Sequence, residues 1–326
     1  MKVIVFCANN EDIQLYNKYN NNRLKIKFEK DALNEGNIDC VNGYDAIVIL
    51  TRCVIDDAIA TMLAERKIKY IVTRSAGYDH LDLKAIKKYG MHAANVPRYS
   101  PNAISEYVCM AILMIIRKMQ TQQMMIKQHD FTLNGVRGRE LRSLTVGIIG
   151  TGRIGFETLK IMSAFTKKIY LNDLYEKAEA REYGTYTDLD SLYKNCDIII
   201  YHCPMTNENF HMVNSKSIAK MKDGVILINP ARGGLWNYED VLNGLKSKKI
   251  AGAVFDVYEN EKDYLRKISP DNINSVVREL IARNDVIYTA HSAFYTDTAI
   301  ENMIQSAVDN LLQYCNKGSC DCELID

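Results

Sequence analysis

Arg232, Glu261 and His291 are three residues whose types, taken together, suit proton and charge chemistry on a small acid. Arg232 stands in Ile228-Asn229-Pro230-Ala231-Arg232-Gly233-Gly234, where small neighbours leave its guanidinium room for a bidentate pair with a carboxylate. Glu261 closes the acidic run Phe255-Asp256-Val257-Tyr258-Glu259-Asn260-Glu261. His291 lies in Thr289-Ala290-His291-Ser292-Ala293-Phe294-Tyr295, and imidazole gives and takes protons near neutral pH. Singly, each has an ordinary explanation: a structural ion pair, a solvated acidic loop, a hydrogen-bonded histidine. As a set they follow apolar runs that read as strands, and the carboxyl ends of strands in a doubly wound sheet form a ligand crevice.

A second constellation precedes them. Val146-Gly147-Ile148-Ile149-Gly150-Thr151-Gly152-Arg153-Ile154-Gly155 reads as a strand, a Gly-x-Gly-x-x-Gly turn and the start of a helix. Gly150 would make the tight turn, Gly152 would let the backbone approach a pyrophosphate, and Gly155 would allow close helix packing. Backbone N–H groups and the positive helix end then face the phosphates, with Arg153 and Ile154 alongside. Asp173 follows the next apolar run, Lys168–Leu171, about twenty residues on, where a carboxylate accepts from ribose hydroxyls and repels a 2′-phosphate. The pattern predicts NAD rather than NADP.

The elements that must position these groups alternate along the chain. Lys2–Cys7, Ala46–Thr51 and Lys69–Thr73 read as buried strands of a first parallel sheet. Pro97 and Pro101 then punctuate the chain before an apolar helix over Asn102–Met119. A second series begins at Thr145–Gly150 and continues through Lys168–Leu171, Asp197–Tyr201, Val225–Ile228, Ile250–Phe255 and Val286–Thr289. A last amphipathic helix, Asp297–Tyr314, is expected to return to the first sheet. The expected fold is therefore α/β, two doubly wound parallel-sheet domains with a cleft between them: residues 1–98 plus 293–326, and residues 99–292.

Composition narrows the partners. The 326 residues carry 41 Lys+Arg against 40 Asp+Glu, so no general basic field draws nucleic acid or anionic lipid. No run of about 18 apolar residues suggests a membrane span, and the short N-terminal apolar run does not make a signal sequence. A cytoplasmic protein with a small-molecule partner is expected. Nine cysteines without framework spacing suit free, mostly buried thiols. Cys315, Cys320 and Cys322 cluster near the C-terminus, but three ligands fall short of a structural zinc site, so free surface thiols and no metal are expected there.

The run from Tyr99 through the glycine turn, Asn229–Gly234, Asp256–Glu261 and His291–Tyr295 resembles the D-isomer-specific 2-hydroxyacid dehydrogenases over nearly the whole chain. Pro97-Arg98-Tyr99-Ser100-Pro101-Asn102-Ala103-Ile104 and Phe294-Tyr295-Thr296 place the likeness nearest the D-lactate dehydrogenase branch, beside 2-hydroxyglutarate, hydroxyisocaproate and phenyllactate dehydrogenases. The resemblance implies a flavodoxin-like substrate domain, a Rossmann domain binding NAD, and a homodimer. Arg232 would hold the substrate carboxylate and polarise the C2 carbonyl, His291 would exchange the proton, and Glu261 would pair with His291. Ala76 and Gly77 in Arg74–Asp79 would bind the carboxylate through their N–H groups, and Tyr99 and Phe294 would line the substrate. Cys203, Pro204, Asn209, Ala231 and Asp256 would join the cofactor contacts, Asp256 at the nicotinamide amide. Arg98 raises the alternative of a second substrate carboxylate, as in 2-hydroxyglutarate, against that of a surface arginine. A non-catalytic NAD sensor on the same fold is the alternative of another class.

Three positions depart from the family pattern. Ala290 replaces the proline usual before the histidine, with looser placement of His291 as the expected consequence. Trp236-Asn237 replaces Val-Asp after the arginine turn, and Thr166-Lys167 replaces a common glycine turn.

Overall fold

The computed structural model describes residues 1–259 and 272–324. It divides into two compact units, Met1–Ser100 with Tyr295–Asp326, and Pro101–Phe294.

In the first unit the chain runs β1 (Lys2–Val5), α1 (Asn10–Asn20), β2 (Lys25–Phe28), β3 (Ala46–Ile49), α2 (Asp57–Glu65), β4 (Tyr70–Thr73), α3 (Leu83–Lys88) and β5 (His92–Ala94). The sheet is parallel throughout in the order β2-β1-β3-β4-β5, the flavodoxin arrangement, which reverses direction between β1 and β3. Continuous apolar runs bury both faces: Ile4, Phe6, Ile47, Ile49, Ile71 and Ala93 pack with Ile59, Leu63 and Ile86 on one, and Val3, Val5, Ala46, Val48 and Val72 are buried on the other. Asn9, Asp56 and Asp82 each cap the helix that follows them through a side-chain oxygen. Arg74, just beyond β4, is almost fully buried and pairs with the buried Asp12 at 3.2 Å. Removing one member of such a pair costs about 3–5 kcal/mol, because it strands the other charge.

The second unit comprises α4 (Pro101–Ile116), α5 (Met119–Lys127), β6 (Val146–Ile149), α6 (Arg153–Phe165), β7 (Ile169–Asn172), β8 (Thr185–Tyr186), α7 (Leu189–Asn195), β9 (Ile198–Tyr201), α8 (Ser215–Lys220), β10 (Val225–Asn229), α9 (Tyr238–Lys246), β11 (Ile250–Phe255), α10 (Ser275–Ile281) and β12 (Val286–Tyr288). Its seven strands are parallel in the order β12-β11-β10-β9-β6-β7-β8, so the direction reverses between β6 and β9. Period-two alternation is plain in β9: Ile199 and Tyr201 enter a core with Trp236, Val241, Leu242 and Phe255. Ile198 and Ile200 enter the opposite core with Val108 and Ile112 of α4 and Leu159 and Met162 of α6.

The chain then returns to the first unit as α11 (Asp297–Lys317), capped by Thr296 and ended by Gly318 with φ +73°. Tyr314 stacks on Tyr70 at 4.5 Å between centroids, and Glu301 receives Lys18 and Tyr19 of α1, both at 2.6 Å. Both parallel sheets read from the sequence are present. The C-terminal cysteines differ from the surface cluster expected: Cys315 is exposed, but Cys320 is buried and its Sγ accepts the Cys322 N–H at 3.2 Å. Among the described residues no helix is long and apolar enough to cross a membrane.

Candidate active site

The glycine turn sits where the second sheet reverses. Gly150 ends β6 with φ +93°, and a Cβ there would lie 2.6 Å from the Cys203 nitrogen, so the turn closes against the loop after β9. A Cβ on Gly155 would come within 1.9 Å of the Gly150 carbonyl oxygen. Gly152 differs from both: a Cβ on it would meet nothing within 4 Å. It stands as N-cap of the 13-residue α6 with no side-chain capping bond. Its first-turn N–H groups and this open cradle suit a phosphate. Arg153 is exposed and Ile154 partly so.

Asp173 follows β7 and presents its carboxylate beside this turn, accepting from the N–H and, at 2.9 Å, the hydroxyl of Thr151. Partial burial opposes its charge, but N–H bonds from Tyr175 and Thr151 outweigh that and hold its pKa below the ordinary carboxylate value. The group is ionised, as discrimination against a 2′-phosphate requires. Cys203 is partly covered and Pro204 exposed. The Asn209 side chain organises their loop, accepting from the Thr206 N–H and donating to the Pro204 carbonyl, both at 2.7 Å.

Arg232 is placed by β10. Asn229, fully buried at the strand's end, accepts the Ala231 N–H at 3.0 Å and donates to the Arg232 carbonyl at 2.9 Å, pinning the Pro230–Arg232 turn from both sides. Gly233 must be glycine, since a Cβ would stand 2.2 Å from the Tyr258 carbonyl carbon. Arg232 itself is partly exposed, and its Nη1 donates to the Ala231 carbonyl at 2.8 Å.

His291 is placed by β11. Asp256, almost fully buried just past that strand, accepts the Ser292 N–H at 2.7 Å, the Ala293 N–H at 2.9 Å and the Thr289 hydroxyl at 2.6 Å. Its carbonyl takes the His291 N–H. The Tyr107 hydroxyl of α4 meets the Thr289 hydroxyl at 2.7 Å, so α4 also braces the turn. Burial raises the Asp256 pKa, against the hydrogen bonds and the nearby His291, which lower it. Thus Asp256, for which the family resemblance implies a nicotinamide contact, has both carboxylate oxygens engaged with the histidine turn. Phe294 lies edge-on to the imidazole at 6.2 Å.

Ala290 and His291 both have positive φ, +32° and +58°. Proline is fixed near −65° and has no access to that conformation at 290. Ala290 thus stands in a left-handed turn that Asp256 holds through Ser292 and Ala293. The other departures are also accommodated. Trp236 is fully buried against Tyr201, Tyr238 and Phe255, Asn237 caps α9, and Thr166 leaves α6 in extended backbone with its hydroxyl on the Leu144 carbonyl at 3.0 Å.

Glu261 lies outside the described residues. Its neighbour in sequence Glu259 meets His211 Nε2 at 3.0 Å. In the first unit, Asn95 Nδ2 donates to the Ala76 carbonyl and Ser75 Oγ to the Gly77 carbonyl, both at 2.7 Å, which fixes that loop. Tyr99 is partly exposed, with its carbonyl held by Asn302 at 2.6 Å, and Arg98 is exposed. Sequence reasoning missed Asn229, Thr289 and Tyr107. A polar residue ending an otherwise apolar strand is the only sequence signal for Asn229.

Residues 109–293 match the family described as D-isomer specific 2-hydroxyacid dehydrogenase, NAD binding domain. The chain is 37% identical over 324 residues to an aromatic 2-oxoacid reductase of Clostridium sporogenes, covering 98% of each. A crystal structure of a D-lactate dehydrogenase from Treponema pallidum superposes with a TM-score of 0.89 at 34% identity, over 99% of each chain. A D-2-hydroxyisocaproate dehydrogenase structure gives 0.90 at 30% identity over the full length of both. The chain belongs to the D-isomer specific 2-hydroxyacid dehydrogenase family. It is an NAD-dependent oxidoreductase acting on a CH–OH group.

Proposed function

We propose that this enzyme reduces pyruvate to D-lactate with NADH, with Arg232, His291 and Glu261 as its catalytic residues. The observation that carries the residue assignment is the paired anchoring of Arg232 by Asn229 and of His291 by Asp256, at the ends of adjacent strands. NADH, when bound, supplies the hydride. Gly150, Gly152, Arg153, Ile154, Gly155 and Asp173 would hold it, with Cys203, Pro204, Asn209, Ala231 and Asp256 near its path. Arg232 pairs with the substrate carboxylate and draws electron density from the C2 carbonyl. His291 donates the proton that the carbonyl oxygen needs as negative charge develops there. Glu261 is assigned to the imidazole as the carboxylate that favours its charged form. Ala76, Gly77, Tyr99 and Phe294 are assigned to substrate binding.

Pyruvate is supported by the D-lactate dehydrogenases matched along the whole chain. A second reading, an aromatic 2-oxo acid, is favoured by the 37% identity to the Clostridium reductase. Side-chain discrimination of this kind rests on pocket shape worth about 1–3 kcal/mol. The test is NADH oxidation with pyruvate, phenylpyruvate, 2-oxoisocaproate and 2-oxoglutarate, with Arg232→Ala and His291→Ala as controls. The highest kcat/KM with pyruvate, lost in both variants, supports the proposal. A higher value with phenylpyruvate moves the enzyme to the second reading, and one with 2-oxoglutarate returns attention to Arg98. We also propose a cytoplasmic homodimer, to which the exposed apolar side chains Met119, Met124, Ile126, Phe131 and Leu133 are suited.

A further inference from the structure

In the first sheet the strand order reverses between β1 and β3, and the carboxyl end of each of these strands leads to a cysteine. Such a reversal opens a crevice that small ligands can enter. The thiols of Cys7 and Cys53 stand 3.9 Å apart there, although 46 positions separate them in sequence. Cys53 is fully buried and its Sγ accepts the Leu33 N–H at 3.3 Å, whereas Cys7 is partly exposed. The Cys7 backbone is also fixed: φ is +57°, the N–H donates to the Asp31 carbonyl at 3.2 Å, and the carbonyl receives Arg74 at 3.3 Å.

The two thiols are electrostatically unequal. The hydrogen bond from Cys53, chiefly, brings the Cys7 pKa down to about 7, with Arg52 and Arg74 helping against burial and Asp31. Cys53 is pushed up by the same contact and by burial. Near neutral pH a substantial share of the accessible sulfur is thiolate, whereas the buried one keeps its proton.

We propose that Cys7 and Cys53 form a reversible oxidation site for small hydroperoxides. The Cys7 thiolate attacks the terminal peroxide oxygen and the O–O bond breaks. The departing alkoxide, hydroxide in the case of hydrogen peroxide, takes a proton from water, and Cys7 becomes a sulfenic acid. The Cys53 sulfur then attacks Cys7 Sγ, its proton leaves with the hydroxyl as water, and a disulfide remains. Two thiols are oxidised and one peroxide is reduced to an alcohol and water. The sulfurs, 3.9 Å apart, must close by about 2 Å to reach bonding distance. A dithiol reductant restores the pair.

The test treats the reduced full-length protein with hydrogen peroxide and maps non-reduced tryptic peptides. The expected product joins peptide 3–18 to peptide 53–66, with two hydrogens fewer than their sum. Its rate of formation should rise with pH about a midpoint near 7, and dithiothreitol should reverse it. Cys53→Ser should accumulate a Cys7 sulfenic acid trapped by a 1,3-diketone, and Cys7→Ser should give neither product. Circular dichroism checks that both variants fold. Oxidation confined to the exposed Cys315, or a rate midpoint at the ordinary thiol value of about 8.5, would overturn the proposal.

Discussion

The N–H of Asp256 donates to the carbonyl of Asn229 at 3.0 Å, so the two residues that pin the proposed catalytic turns are joined to each other across adjacent strands. Asn229 holds the arginine turn through its amide, which both donates and accepts. Asp256 holds the histidine turn through its carboxylate, which only accepts. A displacement of either strand end is passed to both turns, and a shift of about 1 Å in a reacting group costs on the order of a hundredfold in rate.

Asp256→Asn separates the two roles open to this residue. The amide would turn an N–H donor toward the N–H groups of Ser292 or Ala293, so the histidine turn should relax. We expect kcat to fall by about a hundredfold, with the NADH dissociation constant changing less than about threefold. Single-turnover kinetics and NADH fluorescence titration measure the two separately. A selective loss of NADH affinity would instead make Asp256 a cofactor contact.

Two glycines of one turn should respond in opposite ways. Gly155→Ala sets a methyl group 1.9 Å from the Gly150 carbonyl oxygen and should destabilise the second unit by about 1–3 kcal/mol. Gly152→Ala enters open space and should leave the melting temperature within a degree or two. It should nevertheless weaken NADH binding about tenfold, or roughly 1.4 kcal/mol, because the backbone must approach the pyrophosphate at that point. Thermal unfolding with and without NADH distinguishes them, and equal destabilisation by both would refute the steric argument.

Asp197 links the second sheet to pH. It accepts the Thr145 N–H and Lys222 Nζ, each at 2.8 Å, and Arg139 at 3.3 Å. Burial alone would raise its pKa, but these partners hold it below the ordinary carboxylate value. A depressed carboxylate stabilises the fold above its unfolded pKa, near 4, and loses that contribution as pH falls through the lower folded value. Asp197→Asn should therefore lower stability by about 1 kcal/mol at pH 7, the partly exposed cations being screened, with the deficit shrinking toward pH 3. Urea unfolding across pH tests this, and a deficit constant with pH would count against it.

Legibility in the sequence followed the range of the interaction. Ala46–Ile49 and Val146–Ile149 show themselves as apolar runs because both faces of each strand are buried. β2 was not foreseen because lysines alternate along it at the sheet edge, and β8 because two residues make no pattern. The glycine turn was readable since each glycine answers a local steric demand. The anchoring by Asp256 was not, because its partners lie 33 to 37 positions away and only the adjacency of β11 and β12 brings them together. That Trp236 belongs to the core shared with Tyr201 and Phe255 is likewise not legible from its place after the arginine turn, because Tyr201 lies 35 positions away on another strand.

Ala290 yields the sharpest expectation, because restoring the family residue should damage this enzyme. Proline at 290 would need φ near −65°, about 100° from the observed +32°. The Asp256 bonds to Ser292 and Ala293 fix the far side of the turn, so the change would fall on His291. Ala290→Pro should lower kcat by at least about tenfold. Ala290→Gly, which accepts positive φ without strain, should keep kcat near the parent value and raise stability by up to about 1 kcal/mol. Steady-state rates and thermal unfolding of both variants decide the matter: an Ala290→Pro enzyme as active as the parent would mean that the left-handed turn does not position His291.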